Sequence, residues 1–142
     1  MRVFKEISFQ VISDLKALDQ VLSHFDQAKQ SWISQKDWLQ CQLALAEGFT
    51  NAVRHAHKDL PPDIYIEINI RLTLYSLEVR IWDSGPSFNL QKFLQENQNQ
   101  NHHLTGHGQG LPILQKIAAQ LTYYRTDDER NCLLIVKNFS PL

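Results

Sequence analysis

The alternation of apolar and polar residues is most regular between residues 64 and 83. Apolar residues occupy every second position there, first at Ile64, Ile66, Ile68 and Ile70 and then at Leu77, Val79 and Ile81. Because a period of two residues is typical of a half-buried strand, this stretch predicts a β-hairpin that ends at Trp82-Asp83. A second hairpin is predicted near the end of the chain, where QLTYYRT and CLLIVKNF flank DDERN.

Three other segments show the spacing of amphipathic helices. Apolar residues recur three and four positions apart between Leu15 and Phe25, behind Ser13 as the predicted N-cap. A second helix is predicted to begin near Asp37, another good N-cap residue, and to include WLQCQLALAEGFTNAVRHAH. A third is predicted to begin at Gly110-Leu111, with Pro112 tolerated in its first turn.

The remaining segments complete the predicted architecture. Met1 to Gln10 is expected to form a short edge strand. Residues 95–105, QENQNQNHHLT, are polar and are expected to form a mobile surface loop and candidate lid. Hairpins predict an antiparallel or mixed sheet, and three amphipathic helices can cover one face of it. The predicted fold class is therefore α+β, a two-layer α/β sandwich, with residues 1–142 as a single domain.

The composition limits the kinds of partner that we expect the chain to bind and the compartment in which we expect to find it. The chain of 142 residues is 43% hydrophobic and 20% charged, with a net charge of −1, which is typical of a soluble globular domain. Such a charge gives no reason to expect a nucleic acid or an anionic membrane as partner. The charged N-terminus does not resemble a signal peptide, and we expect a cytoplasmic protein. Cys41 and Cys132 lie in apolar stretches and are predicted to be two buried thiols.

The first group of candidate functional residues lies on the second predicted helix. Glu47, Asn51 and His55 stand at positions i, i+4 and i+8 and therefore line up on one face, away from the apolar stripe. A carboxylate, an amide and an imidazole in one row can supply a base, a metal-ligating oxygen and a further polar contact. The alternative is an ordinary solvated helix face.

Two further groups follow along the chain. Asp83 to Ser87, DSGPS, is typical of a turn, and alternatively places a carboxylate at a pocket floor, where it can accept a hydrogen bond from an amino group such as that of adenine. Gly106 to Gly110, GHGQG, precedes a predicted helix whose free N–H groups can face an anion. Its spacing and the polar loop before it match neither the Rossmann fingerprint nor the P-loop.

Together and in this order, the three groups resemble the motif set of the GHKL ATPases. That set comprises Glu-x-x-x-Asn on a helix, Asp-x-Gly, and a glycine-rich box after a flexible ATP lid. Here the motifs stand at residues 47–51, 83–85 and 106–111. The continuation NAVRHA at 51–56 and the phrase DSGPSF resemble the anti-sigma-factor serine kinases of the RsbW and SpoIIAB type. The resemblance covers roughly residues 5–138.

The resemblance implies a Bergerat-type ATP-binding fold that takes ATP and Mg²⁺. Glu47 would be the general base, and Asn51 would ligate Mg²⁺. Asp83 would bind the adenine amino group, and Gly85 would let the base approach. The other cofactor-binding residues expected on this basis are His55, Gly106, Gly108, Gly110 and Leu111.

The implied function is phosphorylation of a serine on a small antagonist protein, combined with sequestration of a sigma factor and with a possible homodimer. Two alternatives stay open, namely a non-catalytic ATP-binding partner switch and a detached ATP-binding domain of a histidine kinase. The sequence departs from the family at one place. Asn131-Cys132 stands where the family usually has Gly-Thr at the start of the last strand, which would remove one polar contact to the base.

Overall fold

The computed structural model describes residues 2–61, 63–97 and 110–140, and its described strands form a single sheet. These strands are β1 Lys5–Ile12, β2 Tyr65–Leu72, β3 Ser76–Asp83, β4 Gln120–Arg125 and β5 Asn131–Asn138. Their order across the sheet is β1-β2-β3-β5-β4, and the neighbouring pairs among these described strands are all antiparallel. Both predicted hairpins are confirmed, and β1 is an edge strand as predicted.

The helices cover one face of this sheet. A short 3₁₀ turn, Leu15–Ala17, leads into α1, Leu18–Asp26, and the long α2, Gln35–Asn51, runs on into a π-helical turn, Ala52–Ala56; further helices are α3, Leu90–Asn97, and α4, Gly110–Ile117. Buried residues of α1, α2 and α4 form one core cluster with the inward-facing residues of the strands. The two-layer α+β sandwich is therefore confirmed. No helix among the described residues has the length and apolar character needed to cross a bilayer.

Close packing of α2 on the sheet determines where its polar residues lie. A Cβ atom added to Gly48 would lie only 2.6 Å from Cδ1 of Ile81 on β3. Because glycine has no side chain, the helix can approach β3 at this point. Asn51, which ends α2 three residues after Gly48, lines a cavity beside the loop that follows β3.

Both predicted helix caps are wrong by one or a few residues. Asp14, not Ser13, caps the first helical turn, and its side chain accepts a hydrogen bond from the Lys16 amide at 2.9 Å. Ser34 caps α2, and its Oγ accepts from the Asp37 amide at 3.0 Å. In both places two cap-forming residues stand close together, so residue type alone could not decide which of them caps the helix.

Asp37 instead ties the last strand region to the start of α2. Its carboxylate accepts a hydrogen bond from the Ser140 amide at 2.8 Å and lies 3.8 Å from Nζ of Lys137. Burial acts to raise the pKa of Asp37, but the hydrogen bonds from Ser140 and at Ser34, together with the charge of Lys137, lower it below its ordinary value. The carboxylate therefore stays ionised and joins the start of α2 to β5 and the segment after it.

Two further predictions concern the polar segment at 95–105 and the two cysteines. The expected loop at 95–105 begins too early, because residues 95–97 belong to α3, and residues 98–105 lie outside the described part of the chain. The sequence did not predict α3, because this helix is short and carries only a few apolar positions. Cys41 and Cys132 are buried free thiols, as predicted, and burial raises the pKa of Cys41 to about 12.

Candidate functional site

The buried carboxylate of Asp83 lies at the centre of the site. Asp83 is the last residue of β3, and only 2% of it is exposed. Its Oδ1 accepts hydrogen bonds from the Gly85 amide and from Nδ2 of Asn131, both at 2.9 Å. Its Oδ2 accepts from the hydroxyl of Tyr123 at 2.5 Å. A buried carboxylate needs such donors, because an unpaired charge out of water is strongly unfavourable.

Asn131 and Arg125 hold the loop that follows Asp83. Asn131 faces Asp83 across the β3–β5 pair, and its Nδ2 also lies 3.0 Å from the carbonyl oxygens of Gly85 and Pro86. Arg125 donates from Nη1 to the Gly85 carbonyl at 3.0 Å and to Oδ1 of Asn131 at 3.3 Å. The residue that departs from the family pattern is thus part of the framework of the loop.

Gly85 is required by a close approach between the loop and the π-helical turn. A Cβ atom at this position would lie 2.4 Å from the carbonyl oxygen of Ala56. The π-helical turn closes with a hydrogen bond from the His57 amide to the Ala52 carbonyl at 2.9 Å. The resemblance to the GHKL ATPases implies that Gly85 admits an adenine base. In the structure, this position requires glycine because a side chain would collide with the Ala56 carbonyl. Contact of Gly85 with a base stays a prediction.

His57 joins three segments of the chain from its buried position. Its Nε2 accepts a hydrogen bond from the Ser84 amide at 2.8 Å, and its Nδ1 lies 2.9 Å from Oγ of Ser13. Because an amide can only donate, Nε2 carries no proton, and Nδ1–H donates to Ser13. Burial lowers the pKa of His57, with the charge of Asp83 opposing the shift. Sequence reasoning missed this residue, since its partners stand 27 and 44 positions away.

The predicted row of Glu47, Asn51 and His55 is divided between two places. Asn51 and His55 line a cavity of about 250 Å³ together with Pro86, Phe88 and other residues of the Asp83 loop and the π-helical turn. The side chain of Glu47 extends from α2 to the start of α4, where its Oε2 is 2.8 Å from the position of a Cβ on Gly110. A π-helical turn follows Asn51, so His55 no longer continues the regular row of the α-helix.

The remaining predicted binding residues fall into two sets. Gly106 and Gly108 lie outside the described residues. Gly110 is the first residue of α4, and Leu111 is buried in the core cluster, so the side chain of Leu111 contributes to packing. Any contact of Leu111 with a phosphate would have to come from its backbone N–H, which is among the first of the helix.

Comparison with known proteins identifies the family to which the chain belongs. Residues 11–137 match the family model of the histidine kinase-like ATPase domain, and the chain belongs to that family. The resemblance to the GHKL ATPases is therefore confirmed. The chain is also similar to the Serine-protein kinase RsbW of Oceanobacillus iheyensis, with 42% identity over 57 residues. These residues are 39% of this chain and 34% of the relative, so the match spans about a third of that relative's length.

Replacement of Gly85 by alanine tests the contact with the π-helical turn. We expect Gly85→Ala to lower the free energy of unfolding by about 1–3 kcal/mol, because its Cβ meets a backbone carbonyl that cannot rotate away. Urea unfolding measures this change. Ser84→Ala is the matched control, since Ser84 is the neighbouring residue of the same loop and its side chain is exposed. Equal stability of Gly85→Ala and the wild type would show that the loop does not depend on this contact.

The buried imidazole of His57 predicts a pH dependence of stability. Its pKa is lower in the folded chain than its ordinary value of 6.5, so the unfolded chain binds a proton more readily. The contribution of His57 is therefore fully present above pH ~6.5 and is lost as the pH falls towards its folded pKa. Urea unfolding from about pH 7.5 to 5 should show this loss in the wild type and less of it in His57→Gln, which keeps an acceptor and a donor without titrating. Parallel profiles for the two proteins would contradict the assignment.

Proposed function

We propose that this chain binds Mg·ATP and transfers the γ-phosphoryl group to a serine of a small antagonist protein, and that it also sequesters a sigma factor. Membership of the histidine kinase-like ATPase family supports the use of ATP. The partial similarity to a serine-protein kinase supports the transfer step. The observation that carries the proposal is the arrangement of α2, which brings Asn51 to the cavity and Glu47 to the first residue of α4.

The adenine end of the proposed site is the Asp83 loop. A carboxylate accepts hydrogen bonds but cannot donate them. It can therefore bind the amino group of adenine, which is a donor, but not the carbonyl oxygen of guanine, which is another acceptor. Asp83 is held in one orientation by the Gly85 amide and by Asn131. Phe88, Pro86 and Ala56 line the neighbouring cavity and offer apolar surface of the kind that a planar base contacts.

The phosphate end of the proposed site lies between α2 and α4. The side-chain oxygen of Asn51 is a hard ligand suited to Mg²⁺, and it lines the cavity from the end of α2. When bound, Mg²⁺ would neutralise charge on the phosphate oxygens. The N–H groups at the start of α4 would face the same phosphates, and we propose that Gly106, Gly108 and Gly110 allow the backbone to approach them. Among the described residues, the side-chain oxygen of Asn51 and the N–H groups at the start of α4 suit a bound Mg·ATP without a P-loop lysine.

Glu47 is the proposed general base. Its carboxylate lies at the start of α4, one helical turn before Asn51, and is half-buried. In this position it would accept the hydroxyl proton of the incoming serine while the serine oxygen bonds to the γ-phosphorus and ADP leaves. The same carboxylate is not among the residues that line the cavity beside the Asp83 loop, so its removal should leave recognition of the base intact.

A glutamine at position 47 separates binding from phosphoryl transfer. We expect Glu47→Gln to bind Mg·ATP nearly as well as the wild type, because it retains the shape of the side chain. Transfer should fall by roughly 10²- to 10⁴-fold, the usual effect of losing a general base. Calorimetry measures binding, and transfer of labelled γ-phosphate to a candidate antagonist encoded beside this chain measures the reaction. The variant should still hold the sigma factor, since that contact needs no proton transfer.

The control for this experiment is Glu78→Gln, the same change on the opposite face of the sheet. Glu78 pairs with Arg80 at 3.0 Å and lies next to inward-facing Val79, away from the cavity. It should bind and transfer as the wild type does. Full transfer by Glu47→Gln would remove the role of base from Glu47. Absence of transfer by the wild type, with a verified antagonist present, would favour a non-catalytic ATP-binding switch.

A further inference from the structure

Tyr123 connects the cavity to Asp83. The cavity of about 250 Å³ beside Asn51 is lined by Tyr123 but not by Asp83, which is 2% exposed. The Tyr123 hydroxyl, in turn, donates to Oδ2 of Asp83 at 2.5 Å. A ligand in the cavity therefore meets Tyr123 before it can reach the carboxylate.

We propose that Tyr123 is an exchangeable partner of Asp83, whose hydroxyl holds the acceptor on Asp83 until the amino group of an adenine takes its place, and that it thereby sets the affinity for adenine. The proposal rests on the proposed nucleotide site and assigns a new role within it. One O–H donor leaves Oδ2, and one N–H donor replaces it. The buried carboxylate thus has a partner in both states, which avoids the high free energy of an unpaired charge.

The surroundings of Tyr123 give its side chain room to move. It lies on β4, which is an edge strand of the described sheet, and it is only partly buried. The ring lines the cavity beside Asn51 and also an open groove of about 650 Å³ formed with Ser87 to Gln91. Its contact with Phe88 is edge-on, with the ring centroids 5.8 Å apart. The open groove therefore offers space for a rotation of the ring away from Asp83.

The chemistry of the exchange favours adenine over guanine. Burial and the hydrogen bond to Asp83 raise the pKa of Tyr123, so the hydroxyl keeps its proton and remains a donor at neutral pH. Guanine would present a carbonyl oxygen to Asp83, and a carbonyl cannot replace a donor. The hydrogen bond from Tyr123 to Asp83 would then persist, and Oδ2 of Asp83 would stay occupied. The same bond lowers the affinity for adenine, because it must break before the amino group can bind.

The variant Tyr123→Phe tests this role, since it removes the hydroxyl and keeps the ring. We expect adenosine and Mg·ATP to bind about tenfold more tightly than to the wild type (~1.4 kcal/mol), because no hydrogen bond must first be broken. Guanosine should remain weak, and the unliganded variant should unfold at a lower temperature. The matched control is Tyr124→Phe, since Tyr124 is the next residue of β4 and lies on the opposite face of the sheet. It should bind all these ligands as the wild type does.

Binding by the wild type in the same titrations separates the two proposals. If the wild type binds Mg·ATP and Tyr123→Phe binds it equally or more weakly, Tyr123 only supports Asp83, and the exchange is wrong while the nucleotide site stands. If neither protein binds adenosine or Mg·ATP, the proposed function and the exchange are both wrong.

The wild type offers a second readout that does not depend on the stability of the variant. Adenosine should shift the tyrosine absorption band to shorter wavelength, because a phenol that leaves a carboxylate loses a strong hydrogen bond. Guanosine at the same concentration should not produce this shift. Adenosine binding without a change in tyrosine absorption would overturn the exchange.

Discussion

A carboxylate buried at the end of a central strand must keep its hydrogen-bond donors, and Asp83 draws them from its own loop, from β4 and from β5. That requirement orders the surrounding segments. The side-chain amide of Asn131 donates to the Asp83 carboxylate and to carbonyl oxygens of the loop after β3. Arg125, on the neighbouring strand β4, donates to the side chain of Asn131 and to the same loop. The start of β5, the end of β3 and the loop beyond it therefore behave as one unit, and the candidate site is built on this unit.

The helical layer is fixed to this unit through backbone contacts. Gly85 lies against the carbonyl of Ala56, and His57 accepts a hydrogen bond from the Ser84 amide while it donates to Ser13. These contacts place the π-helical turn beside the loop, and the turn follows directly from Asn51 at the end of α2. The spacing between the proposed metal ligand and the proposed adenine contact thus depends on a glycine and a neutral histidine, neither of which needs to contact a nucleotide.

Local sequence patterns predicted the elements better than they predicted the contacts between them. The period-two run before Asp83 predicted the first hairpin, because alternation follows directly from having one buried face, and the two segments that flank DDERN predicted the second. The missed α3 is short and has few apolar positions, so its pattern was weak. The caps were misplaced because Ser13, Asp14, Ser34 and Asp37 are all chemically able to cap a helix, and tertiary partners determined which of them did so.

The parts of the site that sequence reasoning missed are long-range. Tyr123 and Asn131 reach Asp83 from 40 and 48 positions away, and no local spacing signals such contacts. Asn131 was noted only as a departure from the family pattern, although it holds the loop. The motifs that were recognised locate the site, whereas its internal hydrogen bonds follow only from the register of β3, β4 and β5.

Calorimetric titration of the wild-type chain with Mg·ATP and with Mg·GTP tests the central claim most directly, because the two nucleotides differ at the base that Asp83 is proposed to recognise. We expect Mg·ATP to bind in the micromolar range and Mg·GTP to bind at least about tenfold more weakly, a difference of ~1.4 kcal/mol or more. Such a preference is expected because guanine presents a carbonyl oxygen where adenine presents an amino group. Equal affinity for the two nucleotides would contradict recognition of adenine by Asp83.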